Sequence, residues 1–222
     1  MKKTILFDAV GTLIYPEPSV GKAYQQIAHT HGRPLKLEEI ETRFQKSYAS
    51  HFIVDGQQQT SESTERHLWQ TLVAEVFAPG PVSELMFLDL WDHFAQPANW
   101  TVFPHVQQML TQLGDHQLSL CIASNFDARL HGIVQAKPEL AAIDQIFVST
   151  EIGFRKPSAQ FFEAILSTLQ LAPEQCLMIG DDPINDISGA GKLGIPSLQV
   201  GKDRGNFTEL TQQIIAWTDQ QD

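Results

Sequence analysis

At 222 residues and 24.8 kDa, the chain suits one large domain, or a core domain carrying a smaller insert. A hydrophobic share of 42% with 18% charged residues is that of a globular protein, which sets aside disordered and fibrous classes. A formal net charge of −11, with no Lys/Arg-rich run to offset it, argues against nucleic acid or an anionic membrane surface as a partner.

The first element is the apolar run Thr4-Ile5-Leu6-Phe7, which starts β-branched and ends abruptly at Asp8. A glycine-bearing turn follows, so Asp8 is expected at the carboxyl end of a buried strand. Ligands of open α/β sheets bind in the crevice outside such ends. The stretch from Met1-Lys2-Lys3 to Asp8 is too short for a signal-peptide apolar region. No apolar run approaches the ~18 residues of a membrane-spanning helix. A cytoplasmic protein is expected, monomeric or homodimeric.

Pro16 and Pro18 then break regular structure. From about Val20 to Phe94 the apolar positions recur at helical spacing. Tyr24, Ile27 and Ala28 share one face. Leu37, Ile40, Phe44, Tyr48 and Phe52 share another, as do Leu68, Leu72, Val73 and Val76, then Leu85, Leu88 and Phe94. Pro79-Gly80-Pro81 separates two of these helices, and Gln57-Gln58-Gln59 reads as a polar loop. This stretch predicts an all-helical unit. Gln96-Pro97-Ala98-Asn99-Trp100 reads as the linker out of it.

Strand and helix signals alternate from there on. Val106, Met109, Leu110 and Leu113 predict a helix, Leu118 to Ala123 a buried strand, and Ile146 to Ser149 another. Phe161, Ile165, Leu166 and Leu169 predict a helix. Cys176 to Ile179 is a strand running into Gly180-Asp181-Asp182. Ser197 to Val200 is a last strand, and Leu210 to Trp217 a terminal helix. Short apolar strands alternating with helices predict a parallel sheet covered on both faces. Cys121 and Cys176 lie inside these apolar runs without metal-ligand spacing, so both are expected as buried, reduced thiols. The eight histidines show no ligand spacing, and Trp69, Trp91 and Trp100 read as packing residues.

Three strands therefore end in polar residues that can converge: Asp8, then Ser124-Asn125, then Asp181-Asp182 with Asp186 five residues after Asp181. Arg155-Lys156-Pro157 opens the helix before the last of these strands. Several carboxylates, a hydroxyl, an amide and a lysine at one sheet edge suit phosphate chemistry. The acids can hold Mg²⁺ through oxygen ligands, Ser124 and backbone amides can bind phosphate oxygens, and Lys156 can offset the negative charge. In the helical unit, Arg43, Lys46 and Arg66 can either face a substrate or form solvated helix faces.

These motifs, in this order, resemble those of the haloacid dehalogenase superfamily. They are Asp8-Ala9-Val10-Gly11-Thr12-Leu13, Ser124-Asn125, Lys156-Pro157 and Gly180-Asp181-Asp182-Pro183-Ile184-Asn185-Asp186. The runs Ser124-Asn125-Phe126-Asp127 and Phe154-Arg155-Lys156-Pro157 further resemble the rhythmically-expressed-gene-2-like branch. The resemblance implies a Rossmann-like core over residues 1–15 and 97–222, with helices on both faces, and a helical cap inserted over residues 16–96. By the same resemblance, Asp8 is the nucleophile that forms an aspartyl intermediate and Thr12 supports its loop. Ser124 binds the transferring group with Asn125 beside it, and Lys156 orients Asp8. Asp8, the Val10 carbonyl and Asp181 hold Mg²⁺. Asp186 is a ligand or its support, and Asp182 is either a ligand or a neighbour on the loop.

The chain departs from the family's phosphatases at Val10. They usually carry there a second Asp, which protonates the leaving group and activates water, and a valine can do neither. Three readings follow. One is a slow Mg²⁺-dependent hydrolase of a small phosphorylated metabolite. Another is a dehalogenase or phosphonatase, the latter needing a Schiff-base lysine among Lys22, Lys36 and Lys46. The third is a phosphate- or partner-binding pseudo-enzyme. Asp181 and Asp186 argue against the dehalogenase, since halide displacement needs no metal and their charge would repel a carboxylate substrate.

Overall fold

The computed structural model describes residues 3–52, 59–116, 118–201 and 207–219. Met1-Lys2 and the first two residues of the polar loop Gln57-Gln58-Gln59 lie outside them.

Five parallel strands form the main sheet: β1 (Thr4–Phe7), β4 (Ser119–Ser124), β5 (Gln145–Val148), β6 (Cys176–Gly180) and β7 (Ser197–Gln199), in the order β5-β4-β1-β6-β7. The three central strands are buried along their whole length. That is why they read as continuous apolar runs rather than alternating ones. The chain leaves β1 toward β4 and β5 on one side and later returns to β6 and β7 on the other. The strand order therefore reverses beside β1, where an open α/β sheet places its ligand crevice.

The register fixes that edge. Phe7 pairs with Ile122 of β4 and with Ile179 of β6. Asp8, one residue beyond, donates its N–H to the Ile179 carbonyl at 2.8 Å. Helices α5 (Val106–Asp115), α6 (Arg129–Gln135), α7 (Ser149–Ile152), α8 (Ala159–Leu169), α9 (Gly189–Gly191) and α10 (Phe207–Asp219) connect or follow the strands. Leu6, Ala123, Met178, Phe161, Phe162 and Ile165 form one apolar core with both cysteines. Neither cysteine is in a disulfide, both are buried, and burial followed by the neighbouring Cys121 pushes the Cys176 thiol up to about 12. They are inert packing groups.

The chain divides into two compact units: Met1–Tyr15, Gln57–Ser61 and Val102–Asp222 in one, Pro16–Gly56 and Glu62–Thr101 in the other. The return to the sheet unit thus falls after Thr101 rather than at residue 97. Residues 97–99 are a 3₁₀ turn, and the Asn99 carbonyl accepts the Glu17 N–H at 2.9 Å inside the helical unit. Two short strands, β2 (Ile14–Pro16) and β3 (Trp100–Val102), pair where the sequence suggested a break and a linker. A short piece of the expected cap also belongs to the sheet unit. There Gln59 bridges to Phe154, and Thr60 donates its N–H to Gly153 O at 2.9 Å.

The second unit is all helical, with α1 (Val20–Thr30), α2 (Leu37–Phe52), α3 (Glu62–Val76) and α4 (Glu84–His93). Tyr24, Ile40, Leu72, Val76, Met86 and Leu90 form its core. The last carbonyls of a helix lack intrahelical partners, and here two arginines supply them. Arg43 donates to Val76 O at 2.9 Å and to Ala78 O. Arg33 donates to Phe77 O at 2.6 Å, Pro79 O at 3.0 Å and Pro81 O. Arg66 lies over the Phe87 and Trp91 rings, 5.7 and 5.3 Å from their centroids. Arg43 and Arg66 are therefore engaged in packing and capping within this unit. Replacing Arg33 by Ala hands most of these carbonyls to water and leaves the half-buried Phe77 carbonyl without its partner, with an expected cost of about 0.5–1.5 kcal/mol in urea unfolding and unchanged turnover.

Candidate active site

Four loops at the carboxyl edge of the sheet build the site. The first leaves β1 at Asp8. Its Gly11 has φ +97°, and a Cβ there would lie 2.5 Å from Asp181 Oδ2. Only a glycine allows that turn and that approach together. Gly180 ends β6 under a similar demand, since a Cβ on it would fall 2.1 Å from Asp186 Oδ2. The two glycines leave the volume that the acidic side chains fill. Sequence reasoning missed this role, although a glycine directly before an acid at a strand end was its visible sign.

Asp8, Asp181 and Asp186 each offer a carboxylate oxygen, and these oxygens all lie within 4.8 Å of one another. Lys156 reaches this group from the turn between α7 and α8. Its Nζ donates to Asp8 Oδ1 at 2.8 Å and to Asp186 Oδ1 at 2.6 Å, and its side chain is 1% exposed. One ammonium faces three carboxylates, which leaves an excess of negative charge in a largely dry place. Burial pushes the Asp8 carboxyl up to about 7. Lys156 opposes that shift, while the charges of Asp186 and Asp181 add to it. Burial alone would lower the Lys156 pKa, but Asp186 and Asp8 together raise it. Lys156 therefore stays cationic, and the Asp8 carboxyl is held well above its ordinary value.

These residues fit a divalent cation. Three convergent carboxylates are the hard oxygen donors that Mg²⁺ takes, and excess negative charge at a buried point is what such an ion neutralises.

The other expected site residues divide. Ser124 is buried at the end of β4, the strand beside β1. Thr12 is buried in the Asp8 loop, and its hydroxyl has no hydrogen-bond partner among the described residues. Val10 is half-buried and forms an isolated bridge with Ile14. Asn125 does not stand free beside Ser124, because its side-chain amide bonds the Lys156 backbone.

Asp182 is not part of the carboxylate group. It caps a π-helical turn, Pro183–Ser188, and accepts from Ile184 N at 2.8 Å, Asn185 N at 3.0 Å and Asn185 Nδ2 at 2.8 Å. Both its oxygens accept hydrogen bonds within that turn, away from the group that Asp8, Asp181 and Asp186 form. The turn in exchange delivers Asp186, whose Oδ2 accepts the Asp182 N–H at 3.1 Å. Lys22, Lys36 and Lys46 are all exposed, so none is desolvated as a Schiff-base lysine must be to stay neutral. Among the described residues, no helix is long and apolar enough to cross a membrane.

Comparison with known proteins agrees with this architecture. The profile of the haloacid dehalogenase-like hydrolase family matches residues 2–194. Human haloacid dehalogenase-like hydrolase domain-containing protein 3 is 25% identical over 208 residues, covering 89% of this chain and 81% of its own. The Drosophila melanogaster rhythmically expressed gene 2 protein is 25% identical over 209 residues, covering 86% and 80%. Among solved structures, YfnB from Bacillus subtilis, crystallised bound to magnesium, superposes with a TM-score of 0.74 at 18% identity over 90% of this chain and 88% of its own. A HAD phosphatase from Thermococcus onnurineus gives 0.67 at 19% over 96% and 98%. A 2-haloacid dehalogenase from Pseudomonas syringae gives 0.63 at 17% over 98% and 100%. The chain belongs to the haloacid dehalogenase-like hydrolases.

Proposed function

We propose that the chain is a Mg²⁺-dependent phosphohydrolase acting on a small phosphorylated molecule through an aspartyl-phosphate at Asp8. The observation that carries this reading is the convergence of Asp8, Asp181 and Asp186 around the Lys156 ammonium. Both a phosphatase and a dehalogenase share the fold, so the fold does not choose between them. The charge does. A carboxylate substrate would be repelled by three acids, and halide displacement needs no metal. A phosphoryl group shared with a divalent cation uses the same acids productively.

In this reading Lys156 holds Asp8 Oδ1, and the other Asp8 oxygen attacks phosphorus. The leaving oxygen departs with its electron pair, and water then cleaves the acyl phosphate to return Asp8 and inorganic phosphate. The Ser124 hydroxyl and loop amides bind the transferring oxygens. Mg²⁺, held by Asp8, Asp181, Asp186 and the Val10 carbonyl, would neutralise the phosphoryl charge.

Val10 cannot protonate the leaving group. General acid assistance contributes roughly 10²–10⁴ in rate, so turnover should favour leaving groups stable without a proton, such as those of acyl and aryl phosphates. The test is phosphate release from alkyl, aryl and acyl phosphates, with Mg²⁺ and with EDTA. Release that stops in EDTA and falls steeply as the leaving group becomes more basic is expected. Halide release from 2-haloacids in EDTA would reverse the choice. Val10→Asp should raise alkyl phosphate turnover by a factor on the order of 10². No gain in a variant that still binds Mg²⁺ would show that the missing acid is not what limits the enzyme.

A further inference from the structure

We propose that Asn125 is a positioning residue that acts through Lys156, its side-chain amide holding the lysine's own peptide so that Nζ reaches Asp8 and Asp186 together. This rests on the reading of Asp8 and Lys156 given above.

A lysine is a compact charge on a flexible four-carbon stem. Ordering such a stem costs up to about 2 kcal/mol of rotamer entropy. Bridging two carboxylates from different loops therefore depends on where its backbone starts. Lys156 starts in a turn between α7 and α8 that belongs to no strand; the turn is tied two residues earlier, where Phe154 bridges to Gln59, but that bridge does not reach the Lys156 peptide. Asn125 directly follows β4, whose register against β1 and β5 is fixed. Asn125 Oδ1 accepts the Lys156 N–H at 2.7 Å, and Asn125 Nδ2 donates to the Lys156 carbonyl at 2.9 Å. The amide thus pairs with the Lys156 peptide at two points, as a neighbouring strand would, and carries the register of β4 across to the turn. Lys192 Nζ donates to Pro157 O at 3.0 Å from the other side, but Lys192 is exposed and replaceable by water.

The pairing also explains the residue type. Aspartate would keep the acceptor for the Lys156 N–H but set a carboxylate oxygen against the Lys156 carbonyl. Alanine would lose both bonds. With its acceptor oxygen and one N–H engaged, the amide has a single N–H left for anything else.

Two measurements on the full chain test this. The first is the ¹H–¹⁵N signal of the Lys156 ammonium in lysine-labelled protein, assigned by its disappearance in Lys156→Arg. Burial and two short bonds should slow its exchange enough to be seen. Asn125→Ala and Asn125→Asp should broaden or abolish it while lowering Tm by no more than about 8 °C. An unchanged signal in either folded variant would overturn the proposal. This arm needs no substrate, so it separates failure of this inference from failure of the proposed activity. If Asn125→Ala does not fold, Asn125→Asp, which keeps one of the two bonds, decides.

The second is a double-mutant cycle on aryl phosphate turnover. Asn125→Ala should lower kcat at least about tenfold with KM nearly unchanged, and its effect should shrink to less than about twofold in Lys156→Met. A raised KM with kcat retained, or effects that multiply, would mean that Asn125 touches the substrate directly and would overturn the proposal.

Discussion

Replacing Asp8 by Asn is expected to lower phosphate release by a factor on the order of 10⁴ or more, because no group at the sheet edge replaces a lost nucleophile. The same change is not expected to cost stability. In the absence of divalent cation the wild-type site holds three carboxylates against one ammonium, and burial has already pushed Asp8 up to about 7. An asparagine keeps the shape, and its oxygen can still accept from Lys156, while the charge is gone. At pH 8, where wild-type Asp8 is ionised, the metal-free variant should melt at or above the wild-type Tm. At pH 5.5, where folded Asp8 is largely protonated but the unfolded carboxyl is still ionised, the gap should narrow, and it closes only below the ordinary carboxyl value of 3.8. Mg²⁺ should raise the wild-type Tm more than that of the variant, which has lost a ligand. Calorimetry at the two pH values, with and without Mg²⁺, checks all three. A large loss of Tm at pH 8 would mean that the Asp8–Lys156 pair serves the fold first.

The parallel sheet was legible because its central strands are buried on both faces. Thr4–Phe7, Ser119–Ser124 and Cys176–Gly180 present unbroken apolar runs, each stopped by a polar residue or a glycine. β2 and β3 were not legible. They are three residues long, too short to show a period, and Pro16 and Pro97 read as punctuation around them. In the site, the acids at strand ends could be found from spacing, but their division of labour could not. Asp182 and Asp186 are both acids on one loop. That Asp182 stands before Pro183, in the order of an N-cap followed by proline, was a signal for capping that composition alone obscured. The bond from Lys156 to Asp8 spans 148 residues, and the Asn125 pair spans 31. No local pattern encodes either, because both arise from strand order. Arg43 shows the opposite limit. Its charge on a helical unit left substrate contact and a solvated face both open, yet besides Glu39 its partners are carbonyls 33 and 35 residues away at the end of another helix.

Replacing Lys156 by Met should be the most destabilising single change at the site, costing about 3–5 kcal/mol at pH 8 without metal, the usual result of stripping one partner from a buried ion pair. Asp8 and Asp186 then lose their common donor, and three carboxylates face one another across less than 4.8 Å. The dependence on pH has a definite sign. Lys156 pulls Asp8 down, so without it the Asp8 carboxyl moves still further above its ordinary 3.8. The folded variant then binds a proton that the unfolded chain releases, and stability falls as pH rises wherever the folded state holds more protons. The deficit should be small near pH 5 and grow steadily through pH 7 to 8. A divalent cation supplies the missing positive charge, so millimolar Mg²⁺ should recover much of the loss at pH 8 and little at pH 5. Urea unfolding at both pH values, with Mg²⁺ and with EDTA, measures the pattern. A deficit that is the same at every pH and indifferent to Mg²⁺ would mean that Lys156 stabilises by packing alone, and that the three acids do not form a cation site.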